Sequence, residues 1–213
     1  NIADWSMGLL CPSDWKAQWI GNREDIFPDS TLTFPAPYFR KEFVVAKPIK
    51  KAMAYVCGLG FYEMYFNGER VGEQVLAPAV TNYDRRSLKK LLYHYDDQST
   101  QRVFYNVFDV TGNLKMQNNA IGIILGNGWY NQRDRTVEGH MWYDVPKMIL
   151  QLEIEYEDGT KEMIVSDNSW KTTTGPLLHD AIFTGEIYDA RKDLGHWNRE
   201  SYDDNIWESA LQV

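Results

Sequence analysis

Residues 148 to 157 alternate, with Met148, Leu150, Leu152, Ile154 and Tyr156 on one side and Gln151, Glu153, Glu155 and Glu157 on the other. Two is the side-chain period of an extended chain, so this stretch predicts a strand with one buried face and one wet face. Asp158-Gly159 follows at once, and Met163 and Val165 then alternate with Glu162 and Ser166, which predicts a tight hairpin. A second hairpin is predicted where Tyr62 to Phe66 runs into Asn67-Gly68 and returns through Glu69-Arg70-Val71. Asn-Gly tolerates the positive φ angles that a two-residue turn needs. Ala52 to Cys57 is apolar on both faces, as a strand inside a sheet would be.

Further strand-like runs are Phe39 to Val45, Val103 to Val110, Ala120 to Leu125 and Ile182 to Tyr188. Leu88, Leu91, Leu92 and Tyr95 match helical spacing and predict one short helix. Short strands separated by Gly, Pro, Asn and Asp predict an all-β domain, an antiparallel β-sandwich of jelly-roll type with few short helices. Pro28, Pro35 and Pro37 make Phe27 to Pro37 an extended connection. Residues 1–37 are therefore expected to be a leading arm or the remnant of a preceding domain, and 38–213 the sandwich. The chain opens on Asn1 and closes at Val213 just after a Trp-rich segment, and we expect it to be a piece of a longer protein.

Composition narrows the function. With 22 Lys plus Arg against 30 Asp plus Glu, the net charge is −8, which disfavours a partner that must be gripped by its phosphates. Eight Trp, 13 Tyr and 9 Phe are a heavy aromatic load, suited to pleated surfaces and to stacking against sugar rings. Two cysteines, Cys11 and Cys57, are too few for a disulfide scaffold, and no apolar stretch reaches membrane-spanning length. Cys57 is expected to be a buried thiol. The opening Asn1-Ile2-Ala3-Asp4-Trp5 lacks the basic and apolar regions of a signal peptide, which leaves room for an export signal already removed.

His94, His140, His179 and His196 are scattered, and neither cysteine has metal-ligand spacing. Neither a nucleophile elbow nor a nucleotide-phosphate loop is present. Glu186, Asp189, Asp193, Asp203 and Asp204 gather near the end, either as a solvated acidic face or as part of a site. In Ile124-Leu125-Gly126-Asn127-Gly128-Trp129-Tyr130-Asn131 an apolar run meets two glycines and then adjacent aromatics flanked by amides. Sugars are bound by such mixtures, since ring C–H groups stack on Trp or Tyr while hydroxyls pair with amides and carboxylates. Trp129 suits a stacking surface or a core plug equally well.

These residues resemble a known family. The run Ala54-Tyr55-Val56-Cys57-Gly58-Leu59-Gly60-Phe61-Tyr62 leads into the Asn67-Gly68 hairpin and ends at Gly72; Thr81-Asn82-Tyr83-Asp84, Leu125-Gly126-Asn127-Gly128-Trp129-Tyr130, Gly185-Glu186-Ile187-Tyr188-Asp189-Ala190-Arg191 and Asp203-Asp204-Asn205-Ile206-Trp207 follow in order. Together they are similar to the amino-terminal β-sandwich domain of bacterial α-L-rhamnosidases, a galactose-binding-like fold. The resemblance implies a parent glycoside hydrolase that removes terminal α-L-rhamnose with inversion, its catalytic carboxylates on an (α/α)₆ barrel elsewhere in the polypeptide. It implies no catalytic residue here, and a periplasmic or extracellular location. Asn82, Asp84, Asn127, Trp129, Tyr130 and Glu186 would contact an L-rhamnose-containing glycan, and Asn82, Asp84, Asn127 and Asn131 would supply oxygens to Ca²⁺. Leu88 to Arg102 depart from the family pattern as an insertion ahead of Phe108-Asp109-Val110-Thr111. The alternative is an architectural domain that packs on the barrel and binds no ligand.

Overall fold

The computed structural model describes residues 7–22, 34–79, 81, 83, 103–132 and 143–213. The short helix expected at Leu88 to Tyr95, the insertion, Asn82, Asp84, His94 and His140 lie outside the described residues. The strands are β1 (Ile20–Gly21), β2 (Pro37–Val45), β3 (Ile49–Leu59), β4 (Tyr62–Phe66), β5 (Glu69–Arg70), β6 (Asn106–Asp109) and β7 (Gln117–Leu125). They continue as β8 (Lys147–Tyr156), β9 (Lys161–Val165), β10 (Lys171–Thr174), β11 (Leu177–Ala181), β12 (Gly185–Tyr188), β13 (Glu208–Ser209) and β14 (Leu211–Gln212). The helical pieces among the described residues are three single 3₁₀ turns.

One sheet has the order β14-β1-β8-β3-β6, with β9 also on β8; the other runs β13-β10-β2-β7-β4-β5; β11 and β12 form a separate hairpin. The strand pairings among the described residues are antiparallel throughout, such as Val56 opposite Leu150 and Met64 opposite Ile123. Both large sheets send alternate residues into one core: Ala52, Ala54 and Val56 from β3, Leu150, Leu152 and Ile154 from β8, Phe39, Ile121 and Ile123 from β2 and β7. This is the expected antiparallel β-sandwich. The Asn67-Gly68 turn takes φ values of 53° and 89°, the two positive angles of a hairpin turn whose twist matches its strands.

Two strand expectations need correction. Residues 103–110 are extended only over Asn106–Asp109, and the run at Ile182 to Tyr188 begins at Gly185, because Ile182 to Thr184 form the turn between β11 and β12. The outer face of β8 is not wet along its length either. Gln151 is fully buried, its Oε1 accepting from Lys16 N at 2.6 Å while its Nε2 donates to the Asp14 carbonyl. The segment before β1 lies across this face, and Ser166 ties it down by donating to the Gln18 carbonyl at 2.6 Å.

The outer face of the second sheet is covered too. Tyr38, Trp197 and Trp207 form a second apolar cluster there, with Tyr65, Ile124 and Tyr202 beside it. Gly122 is required beneath this layer, since a Cβ would meet the Trp197 ring at 2.6 Å. Arg40, 1% exposed, projects from β2 and donates to the carbonyls of Trp197 at 2.9 Å and Arg199 at 3.0 Å. It also pairs with Asp204 and Glu42.

Candidate ligand site at the end of the sandwich

β7 ends at Leu125, and the chain turns through Gly126-Asn127-Gly128 against the turn between β3 and β4. The Gly126 N–H donates to the Phe61 carbonyl at 2.7 Å. The approach leaves no room for side chains: at Gly60, φ 124°, a Cβ would lie 2.1 Å from the Gly126 carbonyl oxygen, and at Gly128, φ 50°, one would lie 2.8 Å from Phe61 N. Glycine is needed here for close contact as well as for backbone angle.

Asn127 sits at the centre of a polar network. Its backbone N–H donates to Asp180 Oδ1 at 2.6 Å, and its Nδ2 donates to Asp180 Oδ2 at 2.9 Å and to the Asp180 carbonyl at 3.1 Å. Its Oδ1 accepts from Asn131 Nδ2 at 2.6 Å. Burial raises the Asp180 carboxyl above its ordinary value; the Asn127 N–H and His179 oppose that shift, and Glu186 adds to it. Glu186 stands directly opposite Asp180 across the β11–β12 pair and is exposed.

The adjacent aromatics diverge. Trp129, half-buried, meets Phe183 of the hairpin edge-on at 5.8 Å between ring centroids. Tyr130 is buried, stacked on Tyr143 at 5.8 Å with Tyr83 edge-on at 5.1 Å. Burial pushes the hydroxyls of Tyr130 and Tyr83 upward in pKa. Gln132, two residues beyond Tyr130, is 2% exposed, and neither polar atom of its amide has a hydrogen-bond partner among the described residues.

The fold therefore joins Asn127 to Asn131, sets Trp129 beside the hairpin that carries Glu186, and packs Tyr130 into a tyrosine cluster. Asp180 is not among the residues expected from the sequence, because the strand predicted at Ile182 to Tyr188 excludes it. The signal available in the sequence is the glycine at 185, a residue suited to the end of a hairpin turn with a partner strand just before it; in the structure its φ is 81°. Among the described residues, no three His, Cys, Asp or Glu side chains come together as a metal-binding group.

A sequence profile of the α-L-rhamnosidase N-terminal domain matches residues 47–96 and 94–213. The chain belongs to this family. An α-L-rhamnosidase of Formosa agariphila is 36% identical over 98% of the chain, which covers 23% of that relative. The solved α-L-rhamnosidase of Dictyoglumus thermophilum shares 42% identity with a TM-score of 0.78, over 97% of this chain and 22% of that one. That of Aspergillus terreus gives 33% and 0.83 over the same shares. The α-L-rhamnosidase of Streptomyces avermitilis, solved with L-rhamnose, is 33% identical with a TM-score of 0.74, over 85% of this chain and 16% of its own. This rhamnosidase N-terminal domain thus spans less than a quarter of these relatives' length.

Proposed function

We propose that this domain is a non-catalytic carbohydrate-binding module of a larger α-L-rhamnosidase, taking an L-rhamnose-containing glycan at the loop end around Asn127. The carrying observation is the Asn127–Asp180–Asn131 network beside the half-buried Trp129. Amides and a carboxylate are the groups that pair with hydroxyls, and an indole face accepts sugar C–H groups. The solved relative with L-rhamnose supports this choice of sugar. Asn82 and Asp84 complete the proposed contacts, with Glu186 at the rim and Tyr130 stiffening the loop from behind.

Calcium belongs to this proposal. The amide oxygens of Asn127 and Asn131 are hard donors of the kind Ca²⁺ selects, and Asp180 adds a carboxylate beside them. When bound, the ion would polarise and orient sugar hydroxyls. Holding it requires the Asn131 N–H to leave Asn127 Oδ1, so affinity should be modest. Turnover is assigned to the (α/α)₆ barrel of the parent polypeptide, and the location to the periplasm or outside the cell. The isolated chain is expected to leave an aryl α-L-rhamnoside intact; hydrolysis abolished by Glu186→Gln would refute this.

A purely architectural role is favoured by one observation: Ile187 and Tyr188 on the separate hairpin are 58% and 60% exposed, a surface another domain could cover. Trp129→Ala separates the readings. Calorimetric titration with L-rhamnose, first with calcium and then with chelator, should show binding in the parent chain and its loss by about 1–3 kcal/mol in the variant, with little change in melting temperature. Absence of wild-type binding at millimolar rhamnose, with a collapsed melting temperature in Trp129→Ala, would leave the architectural role.

A further inference from the structure

A cavity of about 310 Å³ lies on the far side of the molecule's first sheet, beneath the segment that crosses it. Its floor includes Cys57 of β3 and Ile149 of β8, cross-strand neighbours whose side chains point away from the core. Its walls include Trp15 and Trp19 from the crossing segment and Tyr105 from the approach to β6. Trp15 and Tyr105 meet edge to face at 5.5 Å and 87°, and Tyr105 leans on Tyr55 at 6.3 Å. The volume falls at the small end of ligand pockets, about 300–1,000 Å³.

The Tyr105 hydroxyl and the Gln151 amide in this region are already engaged. The Tyr105 hydroxyl donates to the Leu9 carbonyl at 2.9 Å. Gln151, on the same outer face of β8, has its oxygen held by Lys16 N and its nitrogen shared between the Asp14 carbonyl and Glu153. The Cys57 thiol is kept neutral by burial, which raises it to about 12, and a neutral thiol is a weak hydrogen-bond partner. Among the lining side chains, a pyranose brought here would find the indole N–H groups of Trp15 and Trp19 as its strong free donors and would exchange most of its hydroxyl–water bonds for none, which is unfavourable. A flat aromatic molecule loses little water and gains face and edge contacts from three rings.

We propose that this cavity binds a small aromatic ring compound of one or two rings, at a site separate from the loop end around Asn127. Trp15, Trp19 and Tyr105 supply the aromatic walls, and Cys57 with Ile149 the apolar floor. The inference does not depend on rhamnose binding, and either can fail alone.

The test uses 2-naphthol as probe and the two indole N–H resonances of Trp15 and Trp19, assigned through Trp15→Phe and Trp19→Phe in the ¹⁵N-tryptophan-labelled chain. Saturable shifts of both are expected, while L-rhamnose at the same concentration leaves them in place. Ala17→Leu, which fills the cavity from the crossing segment, should weaken 2-naphthol at least about tenfold. Val103→Phe, at a partly exposed rim position, should do the same without burdening the core. No saturable shift up to the solubility limit, shifts unchanged in both filled variants, or a stronger response to L-rhamnose would each overturn the proposal.

Discussion

Asp180 shows how one side chain can serve a site at a cost to the fold. Two donor contacts from Asn127 hold its carboxylate and a third its main-chain carbonyl, yet burial still raises the carboxyl above the ordinary 3.8. The folded chain therefore holds this proton more tightly than the unfolded chain. The associated stability is present below the ordinary value and is lost as pH rises through the raised one. Asp180→Asn stays neutral throughout, so its melting temperature relative to the parent should climb as pH rises above the ordinary carboxyl value of 3.8. A difference that does not vary with pH would mean that His179 and the Asn127 donors fully offset burial and Glu186. Gln132 presents the complementary case, a buried amide with no partner for either polar atom among the described residues. Leaving such a group unpaired costs about 1–3 kcal/mol. Gln132→Met should raise the melting temperature by about 2–4 °C per kcal/mol recovered, measured by calorimetry. A fall would reveal that the amide contributes through a bond formed only in solution.

At the scale of elements, the Asn67-Gly68 hairpin does more than reverse the chain. Asn67 Nδ2 donates to the Asn113 carbonyl and to Asn119 Oδ1, both at 2.9 Å, and its Oδ1 accepts from Ala120 N at 2.9 Å. One turn residue thus fixes β4 against the start of β7 and the 3₁₀ turn before it. Asn67→Ala removes three bonds and leaves a Cβ-bearing residue at positive φ without its local partners, an expected loss of about 2–3 kcal/mol in urea unfolding. A loss comparable to that of a surface alanine would show that the turn is held by β4 and β7 alone.

For the whole molecule, the two sheets are finished by segments far away in sequence. Residues 7–22 cover one outer face and the stretch around Trp197 to Trp207 covers the other. Arg40 anchors the second cover, with Tyr202 stacked over its guanidinium at 5.3 Å. Arg40→Met should destabilise by about 3 kcal/mol, the low end for a broken buried pair because Asp204 and Glu42 can regain water. Chemical denaturation should show the loss together with a change in near-ultraviolet circular dichroism as Trp197 and Trp207 loosen. An unaltered near-ultraviolet spectrum would mean that the aromatic cluster holds the cover without Arg40.

Alternation at 148 to 157, the Asn-Gly and Asp-Gly turns and the doubly apolar run at Ala52 to Cys57 were enough to determine an antiparallel sandwich. Strand period and turn angles are local properties, written in neighbouring residues. The order of motifs likewise carried the family, and the Gly126 to Asn131 segment announced a loop end rich in aromatics and amides. The sequence could not determine that Asp180 clamps Asn127 across 53 residues, or that Tyr130 turns inward while Trp129 meets Phe183. Nor could it show that Gln151, polar and on the side read as wet, is buried beneath the Lys16 backbone 135 residues away. Each of these depends on which distant segment covers a face, and burial and polar pairing are set by that neighbour, so only the tertiary structure decided them.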